Sequence, residues 1–225
     1  MTVLKKGFSA LVTLTIPVII SVLTILVLLS PIFTNLEYRR PGFPEDSYGF
    51  TRAERLDFGN QTRRYLVSSD TLDDLQQLVF ENGDPIYIER ELSHLEDVKI
   101  VLQGVLRVFY GAAAVFILCG LIARMKDWQD IYLKAIYLGG KITAGILVMI
   151  LFLTLISFQA LFTNFHLLFF EGDSWLFFYS DTLIRLFPVQ FWQDIFLVFG
   201  ILTLAEGVLL GWVLQARIKK IPGKK

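Results

Sequence analysis

The sequence predicts an α-helical integral membrane protein: a four-transmembrane-helix bundle with a small mixed α/β extracellular cap. Three observations lead there. The chain has four long apolar runs, its connections alternate between basic and acidic, and two of those connections are long enough to hold structure of their own. Hydrophobic residues make up 54% of the 225 positions and mean hydropathy is +0.57. Such averages do not separate a greasy soluble domain from a membrane protein, so the distribution decides.

The runs extend from Phe8 to Phe33, Ile100 to Ala123, Ile142 to Phe162 and Ile195 to Ala216. A hydrocarbon core about 30 Å thick needs about 20 apolar residues in a helix, and each run reaches that length. Lipid satisfies no backbone N–H or C=O, so helices are the expected spanning structure. The resulting division is 1–33 for the N-terminus and first span, 34–98 for the cap, and 99–123 for the second span. A short loop follows at 124–141, then the third span at 142–163. An aromatic-rich loop occupies 164–194, and the fourth span with its tail occupies 195–225.

Basic residues orient these spans. Lys5 and Lys6 precede the first. Arg124, Lys126, Lys134 and Lys141 join the second to the third, and Arg217, Lys219, Lys220, Lys224 and Lys225 follow the fourth. Asp127 and Asp130 are the only acids among them, whereas 34–98 and 164–194 are rich in Asp and Glu. The positive-inside bias therefore predicts a multi-pass protein of the cell membrane with both termini cytoplasmic and the two acidic loops outside. The first run is about twice a usual signal-peptide core and bulky residues follow Pro31, so it reads as an uncleaved anchor. The single cysteine, Cys119, falls inside the second span and offers no intramolecular disulfide. No internal repeat of the transporter kind is evident.

In the cap, Thr51-Arg-Ala-Glu54 reads as a capping box that opens a helix through about Tyr65. Leu72, Leu75, Leu78 and Val79 suggest a second helix over Thr71–Phe80. Asn82-Gly83-Asp84-Pro85 is a turn, and Pro85–Ile88 is a short strand candidate. The second outer loop carries ten aromatic residues between Phe165 and Trp192, either as an interfacial belt or as a floor that receives acyl chains.

Only two histidines occur, His94 just before the second span and His166 just after the third. The topology sets both at one depth, at the outer leaflet, on helices adjacent in the chain. Imidazole titrates near neutrality, so such a pair suits proton abstraction and return. Glu91, His94 and Asp97 fall on one face of a helix that begins near Arg90, while Arg90 and Lys99 add positive charge. Asp173 and Trp175 lie near His166. A carboxylate on the far nitrogen of either ring would fix its tautomer. Deeper, Lys99, Gln103, Arg107 and Gly111 draw a polar stripe down the second span, and Glu206 in the fourth calls for a partner, with Arg107 the candidate. Gly200, Thr203, Gly207 and Gly211 form a small-residue face for close helix contact. Nucleotide loops and nucleophile elbows are absent, and nothing calls for nucleic acid, a cofactor or a set oligomeric state.

Four segments resemble the lipoprotein intramolecular transacylases of Gram-positive bacteria: Glu89-Arg-Glu-Leu-Ser-His94-Leu-Glu-Asp97-Val-Lys99, His166-Leu-Leu-Phe-Phe-Glu-Gly-Asp173-Ser-Trp175-Leu-Phe, Tyr48-Gly-Phe-Thr-Arg52-Ala-Glu-Arg, and Leu183-Ile-Arg185-Leu-Phe-Pro188. They run through both outer loops in order. Asn164-Phe165 stand where the family often has further histidine or small polar residues. The resemblance implies an acyltransferase that acts on diacylglyceryl-modified lipoproteins among membrane lipid. It would move the sn-2 acyl chain to the N-terminal α-amine, giving the lyso form, with His94 and His166 as the essential histidines. Arg90, Lys99, Arg107 or a protonated histidine would then hold the oxyanion. Two other readings compete: a metal-dependent lipid-ester hydrolase using His94, Asp97, His166 and Asp173, and a non-catalytic membrane chaperone or partner subunit.

Overall fold

A computed structural model describes residues 2–80 and 82–218. Lys219, Lys220, Lys224 and Lys225 of the basic tail lie outside the described residues. Among the described residues eight helices follow one another: α1 (Val3–Leu28), α2 (Pro31–Arg39), α3 (Arg52–Val67), α4 (Leu72–Gln76), α5 (Glu89–Met125), α6 (Gln129–Phe169), α7 (Thr182–Leu186) and α8 (Val189–Ile218). Four of them, α1, α5, α6 and α8, are long and apolar enough to cross a membrane. The first apolar run does not continue as one helix to Phe33. It stops at Leu28, and Ser30 then accepts a hydrogen bond from the Phe33 N–H while Pro31 opens α2. Proline at a first helical position loses no needed donor, so Ser30-Pro31 both ends one helix and starts another.

The chain forms two compact units, one of Met1–Ile25, Val105–Leu153 and Leu197–Lys225, the other of Leu26–Gly104 and Thr154–Phe196. In the first unit Phe8, Val12, Ile16 and Ile20 recur every four residues along α1. They form a core with Cys119, Ala123, Ala135, Ile136 and Leu214. Lipid gives apolar side chains no reason to prefer one another, so close backbone approach must hold such helices together. A Cβ built on Gly139 would sit 2.6 Å from the Cβ of Ile16, and one on Gly207 would sit 3.1 Å from the carbonyl oxygen of Gly140. Thr203, on the predicted small-residue face, is fully buried. Its hydroxyl donates to Thr24 Oγ1 at 3.0 Å, and Thr24 donates in turn to Glu206 Oε2 at 3.1 Å. Glu206 thus uses Thr24 rather than Arg107. Among the described residues no ion pair joins it to Arg107, and both side chains are exposed.

The second unit is helical as well, and among the described residues it contains no strand, so the mixed α/β cap is corrected to an α-helical one. What stands in place of the expected strand is a single bridge between Val79 and Pro85. Two neighbours explain why pairing stops there. Ile86 and Tyr87 are consecutive and both buried, where a strand would alternate. One residue on, the Ile88 N–H donates to Glu91 Oε2, which caps the start of α5. The capping box at Thr51 and Glu54 opens α3 as the sequence predicts. The second helix is shorter than expected, with α4 covering only Leu72–Gln76, held by buried Leu75.

Two arginines lock this unit. Arg185 pairs with Asp46 at 3.1 Å, donates to the Tyr48 carbonyl at 3.2 Å and lies 3.8 Å over the Phe50 ring. Arg55 donates to the Pro44 carbonyl at 2.5 Å and lies over Phe43 at 4.9 Å. Burial by itself would push the Asp46 carboxyl up. The Arg185 hydrogen bond, the Phe50 and Tyr48 N–H groups and the Arg185 charge outweigh that and hold it below the usual carboxylate range. Tyr38, fully buried, donates to the Leu186 carbonyl at 2.5 Å, and Gly59 is the position on α3 that leaves its hydroxyl room.

Candidate active site

Both histidines belong to the second unit and face each other in it. Their rings stack with centroids 6.1 Å apart and an angle of 23° between planes. His94 sits in the second turn of α5 and is 8% exposed; His166 sits in the last turn of α6 and is 9% exposed. The backbone at Ser157 leaves helical geometry at φ −155°, ψ 84°, and its hydroxyl accepts from the Ala160 N–H at 3.3 Å. That substitution of a side-chain acceptor for a backbone one restarts α6 and sets the direction of the turns that carry His166.

Aromatic rings enclose the pair. Phe170 lies 4.9 Å from His94 and 5.6 Å from His166, so it touches both. Phe177 adds to the wall of His94 at 5.4 Å. Around His166 stand Phe162 at 4.2 Å, Trp175 at 4.7 Å and Phe165 at 5.6 Å. Phe162, His166 and Phe170 are spaced by four residues on one helix. Of the ten aromatics in the loop, four line the histidines. Phe187, Phe191 and Trp192 pack with Tyr38 and Phe43 instead, and Phe178 and Tyr179 point outward as a belt would.

The two imidazoles differ in their hydrogen bonds. His166 Nδ1 lies 2.8 Å from the Phe162 carbonyl oxygen. A carbonyl only accepts, so Nδ1 carries the hydrogen and Nε2 carries the free lone pair. His94 Nδ1 is buried without a partner. An unpaired buried nitrogen is costly unless a ligand or water completes it.

Predicted supporting residues divide sharply. Arg90, one turn before His94, pairs with Asp181 at 2.7 Å and lies over Phe177 and Phe178. Glu91, 1% exposed, accepts from the Ile88 N–H at 2.9 Å and the Leu183 N–H at 2.7 Å, tying α5 to α7. Trp175 covers His166. Lys99 donates to the Asp70 carbonyl at 2.5 Å and lies 4.1 Å from the centre of the Tyr65 ring. Arg107 falls in the other unit. Asp97 and Asp173 join neither histidine, so the orienting group on His166 is a backbone carbonyl rather than the expected carboxylate. Among the described residues no three His, Cys, Asp or Glu side chains converge as metal ligands, and the set His94, Asp97, His166 and Asp173 does not assemble.

Sequence reasoning missed Asp181, Phe162 and Phe170. The four-residue spacing around His166 was a usable signal for the two phenylalanines. Asp181 gave none, because its importance comes from a partner 91 positions away.

The chain is similar to known proteins. A family model described as lipoprotein intramolecular transacylase Lit matches residues 8–192. A protein of Aquifex aeolicus (strain VF5), described only as uncharacterized, is 30% identical over 218 residues, which span 92% of this chain and 95% of that one. The crystallised membrane integral transacylase Lit from Bacillus cereus superposes with a TM-score of 0.67 at 17% identity, covering 96% of each chain. A form of that enzyme with one histidine replaced by alanine gives 0.68 at 18% identity, covering 96% of this chain and 94% of that one. At such identity the superpositions establish the four-span helical fold of a membrane protein, while the family match spans most of the sequence. The chain belongs to the Lit family of lipoprotein intramolecular transacylases.

Proposed function

We propose that the protein moves the sn-2 acyl chain of a diacylglyceryl-cysteine lipoprotein to the α-amine of the same cysteine, with His94 and His166 as the proton-transfer pair. The observation that carries this reading is that the only two histidines in the chain stack at 6.1 Å inside an aromatic enclosure. His166 is the base. With Nδ1–H held by Phe162, its Nε2 lone pair takes the proton that the amine must lose before it attacks the ester carbon.

Attack forms the C–N bond and a tetrahedral oxyanion, whose collapse breaks the bond between the acyl carbon and the glyceryl oxygen. That oxygen must regain one proton, the same number the amine gave up. His94 returns it from one nitrogen, and the proton that His166 took from the amine refills the His94 ring at the other, so both imidazoles end neutral. No outside acid is consumed. Donor and acceptor are parts of one molecule, so orientation supplies much of the acceleration, and the close aromatic walls suit that task. The site faces the outer leaflet and both termini are cytoplasmic, a placement supported by the basic and acidic segments.

The test is mass spectrometry of the N-terminal tryptic peptide of a lipoprotein from cells that otherwise make only the diacylglyceryl form. Expression of this protein shifts one acyl chain onto the α-amine at unchanged total mass of acyl and peptide. A peptide that keeps a free amine overturns the reading.

A further inference from the structure

We propose that Arg90 and Asp181 form a latch that positions the aromatic wall of His94, so that Arg90 serves the reaction as a positioning residue. The inference rests on the proposed function only for its effect on rate; the latch itself is a matter of geometry.

Asp181 Oδ2 is shared. It accepts from Arg90 Nη2 at 2.7 Å and from the backbone N–H of Phe178 at 2.8 Å. One carboxylate oxygen therefore closes the turn that carries Phe177 and Phe178 and ties that turn to the first turn of α5. The guanidinium completes the arrangement by lying 5.2 Å over the Phe177 ring and 5.5 Å over Phe178. Phe177 in turn stands 5.4 Å from His94, four residues after Arg90 on the same helix. Thr182 and Leu183 fasten the segment immediately beyond, through the Ile86 carbonyl at 2.6 Å and Glu91 Oε1 at 2.7 Å.

A solvated ion pair alone stabilises little, and the Arg90 side chain is 40% exposed. Its value lies in direction. A planar guanidinium reaches a carboxylate and two ring faces at once, which a lysine ammonium does not. Arg90 Nε is buried without a partner, consistent with a side chain chosen for its shape at the cost of one donor. Without the latch, Phe177 is free to leave His94, and the enclosure opens on that side only.

The experiment uses the full-length protein in micelles. Diethylpyrocarbonate acylates neutral imidazole, and with two histidines in the chain peptide mass spectrometry reads each one directly. Arg90→Gln and Asp181→Asn should each raise labelling of His94 several-fold and leave His166 little changed. With a diacylglyceryl lipopeptide, both variants should lower kcat by about tenfold at nearly unchanged KM, since the loss is one of orientation. The double variant should be no worse than either single one, because both break the same contact. Arg90→Lys keeps the pairing charge and should restore part of kcat. Asp181→Asn serves as the readable variant if Arg90→Gln fails to fold. Unchanged His94 labelling in Asp181→Asn, and in Arg90→Gln where that variant folds, overturns the latch. So does a loss in Arg90→Gln that far exceeds Asp181→Asn and adds to it, which would put Arg90 on the substrate itself. A native protein that converts no lipopeptide defeats the transacylase reading instead, and the labelling ratios still decide the latch.

Discussion

The two units hold themselves together by different means. In the first, glycine and threonine let helices meet at backbone distance. Gly139 lies against Ile16 and Gly207 against Gly140, and Thr203, Thr24 and Glu206 form a short chain of hydrogen bonds. In the second, charged groups do the fastening: Asp46 with Arg185, Asp181 with Arg90, and Glu91 with two backbone N–H groups. The contrast follows from solvent. Where lipid surrounds a helix, burying another leucine gains nothing and only close contact does. Where water is near, a buried carboxylate with several donors is a directional device that fixes loops to a defined place. All the aromatic residues around the histidines belong to the second unit. Substitutions in one unit should therefore change how much protein is folded, and substitutions at the site should change how fast it works.

The largest effect should come from His94→Ala and His166→Ala. Each should lower formation of the N-acyl product by about 10² to 10⁴, the usual worth of a positioned acid or base. The amount of protein in the membrane should stay near that of the native chain, because the rings sit among aromatics and neither bridges two helices by a side-chain bond. Full activity in either variant removes that histidine from the mechanism. The complementary change is Gly139→Val. Its Cβ would fall 2.6 Å from the Cβ of Ile16 and 2.8 Å from the Thr13 carbonyl oxygen, both too close for relaxation of a single rotamer. Unfolding in mixed micelles should show a loss of about 3 kcal/mol, at the upper end for overpacking. The rate per folded molecule should be unchanged; a matching fall in that rate would erase the distinction between the units.

Asp46→Asn comes next and carries a pH signature. The Asp46 carboxyl is held below its usual range in the folded protein, chiefly through Arg185 and the Phe50 N–H, against the opposing effect of burial. A depressed folded value means that the stabilisation is complete above the unfolded value of about 3.9 and is lost as pH falls through the folded one. The margin of stability of the native protein over Asp46→Asn should thus stay constant from neutrality to about pH 5 and shrink only below about pH 4. The asparagine variant should be less stable by about 2 kcal/mol at neutral pH, the worth of hydrogen bonds to a charged group. Its acid dependence should be correspondingly smaller. Equal acid sensitivity in the two proteins would show that some other carboxyl governs the cap.

The sequence made legible what depends on local pattern. Runs of apolar residues gave four spans, the Thr51 and Glu54 pair gave the start of α3, and topology with composition brought His94 and His166 together. What it hid were arrangements that close through space. Arg185 meets Asp46 across 139 positions and Arg90 meets Asp181 across 91, with no local pattern to announce either. The strand expected at Pro85–Ile88 failed for a related reason. Its residues favour extended backbone, but burial of both Ile86 and Tyr87 and the cap from Glu91 leave no ladder to extend. Lys99 shows the same limit in side-chain chemistry. Its charge suggested an oxyanion donor, and no local pattern announced that its ammonium also meets the Asp70 carbonyl and the Tyr65 ring.

The smallest effect should be that of Glu206→Gln, although a carboxylate within a span invites a larger expectation. Glu206 is exposed, and its hydrogen bond comes from a threonine hydroxyl that an amide oxygen accepts equally well. The Ile20 carbonyl, 3.3 Å away, is a second acceptor for the one Thr24 hydroxyl hydrogen, and Thr24 receives from Thr203, so its hydroxyl keeps its place when the charge is removed. Single hydrogen bonds between membrane helices average about 0.6 kcal/mol, and the substitution keeps the bond while discharging the side chain. Unfolding in mixed micelles should shift by about 0.5 kcal/mol or less, and N-acyl product should form at the native rate. A drop in rate without a drop in stability would bring Glu206 into the reaction and, with it, the first unit into a role beyond holding the fold.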